Sequence, residues 1–338
     1  ANEGLKGQFK KTFALNDILF SEIRPSNKRF AFIDFHDTQQ YIASTKLMVI
    51  RPRTERVRPR FLYALLTAQT VIDELQRMAE TRSGTFPQIT FTGEVAPIPV
   101  KLPPIEIQDS IVSIISSIEE KIEWNRKINH NLEQQAETLF KAWFIDFAPF
   151  DGIKPNSWVA YTLGEVTEMG AGGDKPKNTS KIKSTECPYP VYSNGLDNEG
   201  LYGYTDKAKI FDESVTVSAR GTIGFVCLRH LPYVPIVRLV TLIPKESILS
   251  AKYLYLYLKQ LHISGTGTTQ QQLTVPDFRK TEILIPDSTI MMDFTKVVTP
   301  IFNKIWANED ENKQLALIRD AILPKLMSGE IDVSDIQL

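Results

Sequence analysis

The chain has 338 residues, 39 Lys+Arg against 40 Asp+Glu, two cysteines and 42% hydrophobic residues. This length suits two domains, and the balanced charge argues against a general nucleic-acid coat. It has no apolar run long enough for a membrane span, its start ANEGLKGQF is neither a signal nor a transit peptide, and Cys187 and Cys227 make no CxxC or metal spacing, so both are expected to stay reduced in a cytosol.

Residues 1–105 read as a β-rich domain. Phe13–Ser21, Phe30–Phe35 and Tyr41–Ile50 cluster or alternate apolar residues as strands do, and Arg58-Pro-Arg opens a helix expected from Phe61 to about Glu80. A polar loop from Thr81 to Gln88 follows, then a last turn or strand over Ile89–Val100, stopped by Pro103-Pro104.

Residues 106–150 are dominated by Glu106–Phe147, a stretch of 42 residues without Gly or Pro. Ile111, Ile118, Asn125, Leu132 and Leu139 recur every seventh position, and Ile115, Ile122, Asn129, Ala136 and Trp143 lie four residues after each. Alternating steps of three and four make the seam of a coiled coil, in a helix about 63 Å long. Asn125 and Asn129 in mid-seam weaken the coil but fix its register and partner.

Residues 151–287 form a second domain after a turn-rich connector. It opens at Trp158 and continues with a Gly-rich basic loop from Gly170 to Lys183, strands near Tyr189, Leu201 and Ser214–Val226, and a short helix over Lys252–Leu261. Residues 288–338 then repeat the long helix. Adding 183 carries Asn125 to Asn308, Asn129 to Asn312, Leu132 to Leu315 and Leu139 to Ile322, and Gly84-Thr-Phe-Pro-Gln to Gly267-Thr-Thr-Gln-Gln. The misfits are Arg319 in the seam and Pro300, which should kink the first turns. Aligning Ser21 with Ser218 instead implies that the first domain lacks about 40 N-terminal residues that the second has. Basic against acidic residues number 15 to 10, 4 to 8, 15 to 14 and 5 to 8 in the four segments, so both globular parts are more basic than both helices. That suits globular parts touching phosphates and helices touching protein.

If the two helices pair with their asparagines in contact, an antiparallel arrangement makes every facing pair of residue numbers sum to 437: Asn125 with Asn312, Asn129 with Asn308, Leu139 with Val298, Trp143 with Phe294. Ile118 then faces Arg319, whose head should turn toward Glu119 or solvent. A parallel pair would need the intervening domain to return along the whole helix.

The ordered set of this duplication, the entry Leu102-Pro-Pro-Ile-Glu-Ile-Gln-Asp-Ser-Ile, the helix tail Asn131-Leu-Glu-Gln-Gln-Ala-Glu-Thr-Leu-Phe-Lys-Ala-Trp-Phe and the opening Trp158…Leu163-Gly-Glu-Val resembles the specificity subunits of type I restriction-modification systems over essentially the full chain. The short first domain and the poor match of Asp287–Asp293 to the LPP…Q entry depart from that pattern. The resemblance implies an α+β protein: two mixed α/β target-recognition domains separated by a long antiparallel two-helix coiled coil. It implies that each domain reads one half of a bipartite double-stranded DNA site, and that two modification subunits and the restriction subunits are partners. The setting implied is bacterial or archaeal cytoplasm, without a membrane. No cofactor is expected on this chain, because the modification subunit would bind S-adenosylmethionine.

No catalytic constellation emerges from the residues. Leu102-Pro-Pro-Ile lacks the leading Asn/Asp and trailing aromatic of an adenine-methyltransferase loop, Gly265-Thr-Gly-Thr-Thr-Gln-Gln-Gln has no P-loop lysine, and the four histidines are scattered. For DNA contact, Lys175, Lys177, Lys181 and Lys183 are either phosphate ligands or a solvated loop. Thr268, Thr269, Gln270 and Gln271 are pointed toward adenine reading, against a plain loop, and their repeat counterparts Arg82, Ser83 and Thr85 are also polar. Arg24, Asn27, Lys28 and Arg29 form a turn after a strand. Arg220 holds the matching turn of the second domain, where it reads guanine, grips a phosphate or closes a buried ion pair. The run Arg51, Arg53, Arg56, Arg58 and Arg60 is a solvated basic face or a backbone contact. Trp124, Trp143 and Phe144 read as packing or protein interface. A competing reading is a coiled-coil adaptor whose two domains bind other ligands.

Overall fold

The computed structural model describes residues 9–82, 84–265 and 272–333. They fall into two compact units, residues 1–127 with 308–338, and residues 128–307. Both units are mixed α/β, and two long helices, α3 (Ile105–Phe144) and α7 (Ser288–Ser328), contribute residues to each.

The first unit has a three-stranded antiparallel sheet in the order β3-β2-β5, from β2 (Ile18–Ser21), β3 (Phe30–Phe32) and β5 (Leu47–Ile50), beside a small pair of β1 (Phe9–Lys11) with β4 (Ala43–Ser44). The expected helix over 61–80 is two, α1 (Pro59–Thr67) and α2 (Gln69–Arg82), because Ala68 leaves helical geometry at ψ 137°. Pro59 sits in the first turn, where its missing N–H costs nothing. After Ile89 the chain makes one wide helical turn, Phe91–Val95, closed by the Ala96 N–H on the Phe91 carbonyl at 2.7 Å, rather than a strand. Ile18, Phe20, Phe61, Ile72, Leu75 and Ile89 form the core with Ile111 and Ile115 of α3 and Leu323 and Leu326 of α7.

The second unit carries three sheets. Its main one, order β11-β10-β13-β7, joins β7 (Thr167–Ala171), β10 (Ser214–Val217), β11 (Val226–Arg229) and β13 (Val240–Pro244). The others are β12 (Val234–Pro235) with β8 (Tyr189–Tyr192) and β9 (Leu201–Thr205), and the pair of β6 (Val159–Thr162) with β14 (Glu282–Ile285). Short helices α4 (Leu163–Val166), α5 (Ala251–Gln260) and α6 (Val275–Phe278) complete it. The Ser250 side chain caps α5 by accepting from the Tyr253 N–H.

In each unit the two long helices pair antiparallel. Within the first, the Asn125 amide donates to Asn312 at 3.0 Å and to Glu311 at 2.8 Å, and Arg319 reaches Glu119 at 3.8 Å, as its place opposite Ile118 requires. Burial of Glu119 pushes its carboxyl above the ordinary value, against the opposing pull of Arg319. Within the second, Phe294 packs 5.7 Å from Trp143 and 4.7 Å from Phe144, edge to face in the latter case, and Leu139 and Val298 share one core. Asn129 donates to the Ile305 carbonyl at 3.0 Å, one turn before Asn308, and Asn308 is buried. Pro300 does not break α7. Pro300 and Lys296, whose carbonyl loses its N–H partner, are both exposed, so the proline lies on the solvent side of the continuous helix.

Candidate nucleic-acid interface

The two offsets found in the sequence, 197 for the strand and about 183 for the loop, converge on one backbone arrangement built twice. In the first unit the Ser21 N–H donates to the Arg29 carbonyl at 2.9 Å, closing the corner between β2 and β3, and the Ile89 N–H donates to the Glu22 carbonyl at 2.8 Å. In the second, the Ser218 N–H donates to the Phe225 carbonyl at 2.9 Å and the Leu273 N–H to the Ala219 carbonyl at 3.0 Å. Each polar loop is thus sewn to the corner of a hairpin. A threonine cap follows each time, Thr90 accepting from the Gly93 N–H and Thr274 from the Asp277 N–H.

The first unit's corner presents Arg24, Asn27, Lys28 and Arg29, all exposed, with Arg24 and Lys28 in left-handed backbone at φ 46° and 51°. The Arg24 N–H on the Pro87 carbonyl at 3.0 Å and the Ser26 N–H on Gln76 at 3.1 Å hold this corner against the loop and α2. Thr85 is exposed beside it, while Ser83 lies outside the described residues. Arg82 is no free cation, since it pairs with Glu94 at 3.1 Å. The Thr90 N–H bonded to Glu94 holds that carboxyl below its ordinary value. Three of the five arginines in the run are similarly paired, while Arg53 and Arg56 are exposed. Arg51 forks onto Asp17 at 2.6 and 2.8 Å, Arg58 onto Asp109 at 2.7 Å twice, and Arg60 reaches Asp34 at 3.4 Å and covers the Phe32 ring.

In the second unit Arg220 is exposed, and its Nε and one terminal nitrogen donate to Gln272 at 3.1 and 2.8 Å. Gln272 is the last glutamine of the run whose Thr268, Thr269, Gln270 and Gln271 lie outside the described residues. So the buried ion pair considered for Arg220 is replaced by an exposed Arg–Gln pair. Of the four lysines, Lys175 and Lys181 converge on Tyr202, at 5.1 and 4.3 Å from its ring, and Lys181 also donates to the Tyr202 carbonyl at 3.1 Å. The hydrogen bond and charge of Lys175 lower the Tyr202 phenol from its ordinary value. Lys177 and Lys183 are exposed. The lysine loop lies flat on β9 because Gly203 leaves room for Ser180, whose carbonyl would stand 2.5 Å from any Cβ there.

Several contributors escaped the sequence reading. Asn194 accepts from the Ala219 N–H and donates to the Val237 carbonyl, both at 2.7 Å, tying the Arg220 corner to residues 237 and 238. Gln108, the glutamine of the helix entry, is buried and holds three backbone groups: the Arg58 N–H at 2.8 Å and the carbonyls of Pro103 and Arg56 at 2.9 and 3.3 Å. Met291, its counterpart under the 183 offset, is also buried, which accounts for the poor second match by apolar packing. Among the described residues no group of His, Cys, Asp and Glu is arranged for a metal, and no helix is long and apolar enough to cross a membrane. Burial pushes the Cys227 thiol up to about 12, leaving an unreactive sulfur.

Known proteins place this architecture. The chain is 32% identical to the type I restriction enzyme HindI specificity subunit of Haemophilus influenzae, over 97% of this chain and 89% of that protein. It is 27% identical to the MjaIX specificity subunit of Methanocaldococcus jannaschii, over 82% and 70% respectively. A solved S subunit of a type I restriction-modification system from M. genitalium shares the fold, with a TM-score of 0.50, 16% identity and coverage of 96% of this chain and 86% of that one. The model of the type I restriction modification DNA specificity domain matches residues 2–134 and again 155–316, and the chain belongs to that family.

Proposed function

We propose that this chain is the DNA-recognition subunit of a type I restriction-modification complex, each unit reading one half of a bipartite double-stranded site. The observation that carries this is the repeated edge. Identical main-chain hydrogen bonds sew a polar loop to a hairpin corner in both units, while the side chains displayed differ: Arg24, Asn27, Lys28 and Arg29 on one, Arg220 and Gln272 on the other. One frame with two sets of polar side chains suits two readers of different half-sites. Lys177 and Lys183, exposed on the lysine loop, serve as phosphate contacts that position without reading.

The chain itself carries out no methyl transfer and no cleavage. S-adenosylmethionine belongs to the modification subunits, two of which dock on the paired helices, and the complex works with restriction subunits in the cytoplasm of its bacterial or archaeal host. The paired helices set the spacing of the half-sites. The test is selection of bound duplexes from a random pool by the chain assembled with its modification subunit. Enrichment of two short blocks at a fixed spacing is expected. A pool that stays random, or methylation by the isolated chain given only S-adenosylmethionine, overturns the reading.

A further inference from the structure

The turn at Val237 and Arg238 is one of two in the second unit with consecutive left-handed residues other than glycine, the other being Asn198 and Glu199, and it alone of the two holds a β-branched residue. Val237 and Arg238 lie at φ 51° and 60°. A β-branched residue in that region is a true outlier, and such geometry persists only where surrounding bonds impose it. Here they do. The Val237 N–H donates to the Gly173 carbonyl and the Arg238 N–H to the Gly172 carbonyl, each at 2.9 Å, and the Leu239 N–H to the Ile236 carbonyl at 3.0 Å. Gly172 is required for this approach, because a Cβ there would lie 2.7 Å from the Ile236 nitrogen.

The strain has a directional result. Val237 is left 48% exposed, an apolar side chain facing water, and Arg238 is exposed next to it. Among the described residues the Arg238 guanidinium has no acidic partner. Arg229, by contrast, is buried against Glu199 at 2.7 Å. Position matters as much as exposure. The β10–β13 ladder ends at Val217 opposite Val240, and residues 236–239 form a turn closed by the Leu239 N–H on the Ile236 carbonyl. Asn194 bridges the gap with its two bonds at 2.7 Å, substituting for the ladder. Asn194 thereby joins the corner that carries Arg220 to the turn that carries Val237 and Arg238. In the first unit, where Ser21 pairs Leu47, the residue equivalent to Arg238 is Lys46, also exposed and not in left-handed backbone. The two units differ at this corner, as they do along the loop.

We propose that Arg238 is a base-reading residue of the second unit, its planar fork donating to the O6 and N7 of a guanine in the major groove while Val237 packs against a neighbouring base edge. This deepens the DNA-recognition reading and rests on it. A phosphate clamp needs only charge on a flexible stem. A guanidinium carried on a backbone fixed by hydrogen bonds, beside an exposed apolar side chain, suits the edge of a base.

The experiment compares wild type, Arg238→Lys and Arg238→Ala, each assembled with the modification subunit, in selection from a random duplex pool and in binding measured across salt concentrations. Lysine keeps the charge and loses the fork. Both variants are expected to lose preference for one G·C pair of one half-site by about ten- to a hundredfold. The lysine variant should keep the wild-type salt dependence and the other half-site should remain fully specified. Uniform weakening by Arg238→Ala with a shallower salt slope, rescued by lysine, would show a phosphate contact and overturn the proposal, as would unchanged selection in both variants. Melting temperatures within a degree or two of wild type exclude misfolding of a surface variant. If the wild-type complex itself selects no bipartite site, the broader functional reading has failed rather than the role of Arg238.

Discussion

Asn125 and Asn312 meet across the helix pair, the amide of one donating to the carbonyl of the other at 3.0 Å, with Glu311 accepting the second hydrogen at 2.8 Å. Two polar residues with complementary groups in a mostly apolar seam disfavour other alignments. Asn125→Leu alone is expected to destabilise the first unit by about 1–3 kcal/mol, because the buried bond to Asn312 is lost and Glu311 keeps its other partner, Lys121 at 3.5 Å. The double variant Asn125→Leu/Asn312→Leu should recover much of that loss while relaxing register. Urea unfolding of the four-member cycle tests this, and a coupling energy indistinguishable from zero would refute it.

A pH dependence follows from Asp17, whose side chain is 1% exposed. Burial raises its pKa, but the Arg51 hydrogen bonds, the Ala14 N–H at 2.7 Å and the Arg51 charge together hold it below the ordinary value. A depressed carboxylate contributes stability that is present above its unfolded pKa and lost as pH falls through the folded one. Asp17→Asn should therefore cost about 1–3 kcal/mol at pH 7, with the gap to wild type closing below about pH 4. A gap that stays constant from pH 7 to pH 3 would contradict the assignment.

Gln108 satisfies three backbone groups at the entry to α3. Gln108→Leu keeps the volume and removes every bond, so a loss of about 1–3 kcal/mol is expected in the first unit. Hydrogen exchange should accelerate at the Arg58 amide. Unchanged protection there would mean that the glutamine only fills space.

Gly172→Ala presses a methyl into the Ile236 backbone at 2.7 Å. The expected outcome is destabilisation of the second unit by about 1–3 kcal/mol and loss of its half-site, with the first half-site still selected. Loss of both half-sites together would show that the effect is not local to this corner.

Much of the helical part was legible because it depends on a period. The seven-residue seam and its two asparagines gave both the direction of pairing and particular partners, Asn125 with Asn312 and Trp143 with Phe294. Even Arg319, a charge in the seam, turns its head toward carboxylates, 2.8 Å from Asp320 and 3.8 Å from Glu119, as its long stem allows. The bond from Asn129 to the Ile305 carbonyl was not legible, because nothing in the period marks a backbone acceptor. Sheet order and corners were not legible, because they depend on contacts far apart in sequence. Nothing near Val237 marks it as left-handed, since the cause lies at Gly172 and Asn194. The pairing of Arg82 with Glu94, twelve residues on, was likewise not legible.

The bond from the Ile89 nitrogen to the Glu22 oxygen, and its twin from Leu273 to Ala219, are made by main-chain atoms alone. Such a bond is indifferent to the side chains beside it. Exposed residues on the loop and the corner can be exchanged one at a time at a stability cost near zero, while what they touch changes at each step. A new preference can therefore be reached through variants that are all folded, and inheritance of the frame places no restriction on the inheritance of the text it reads.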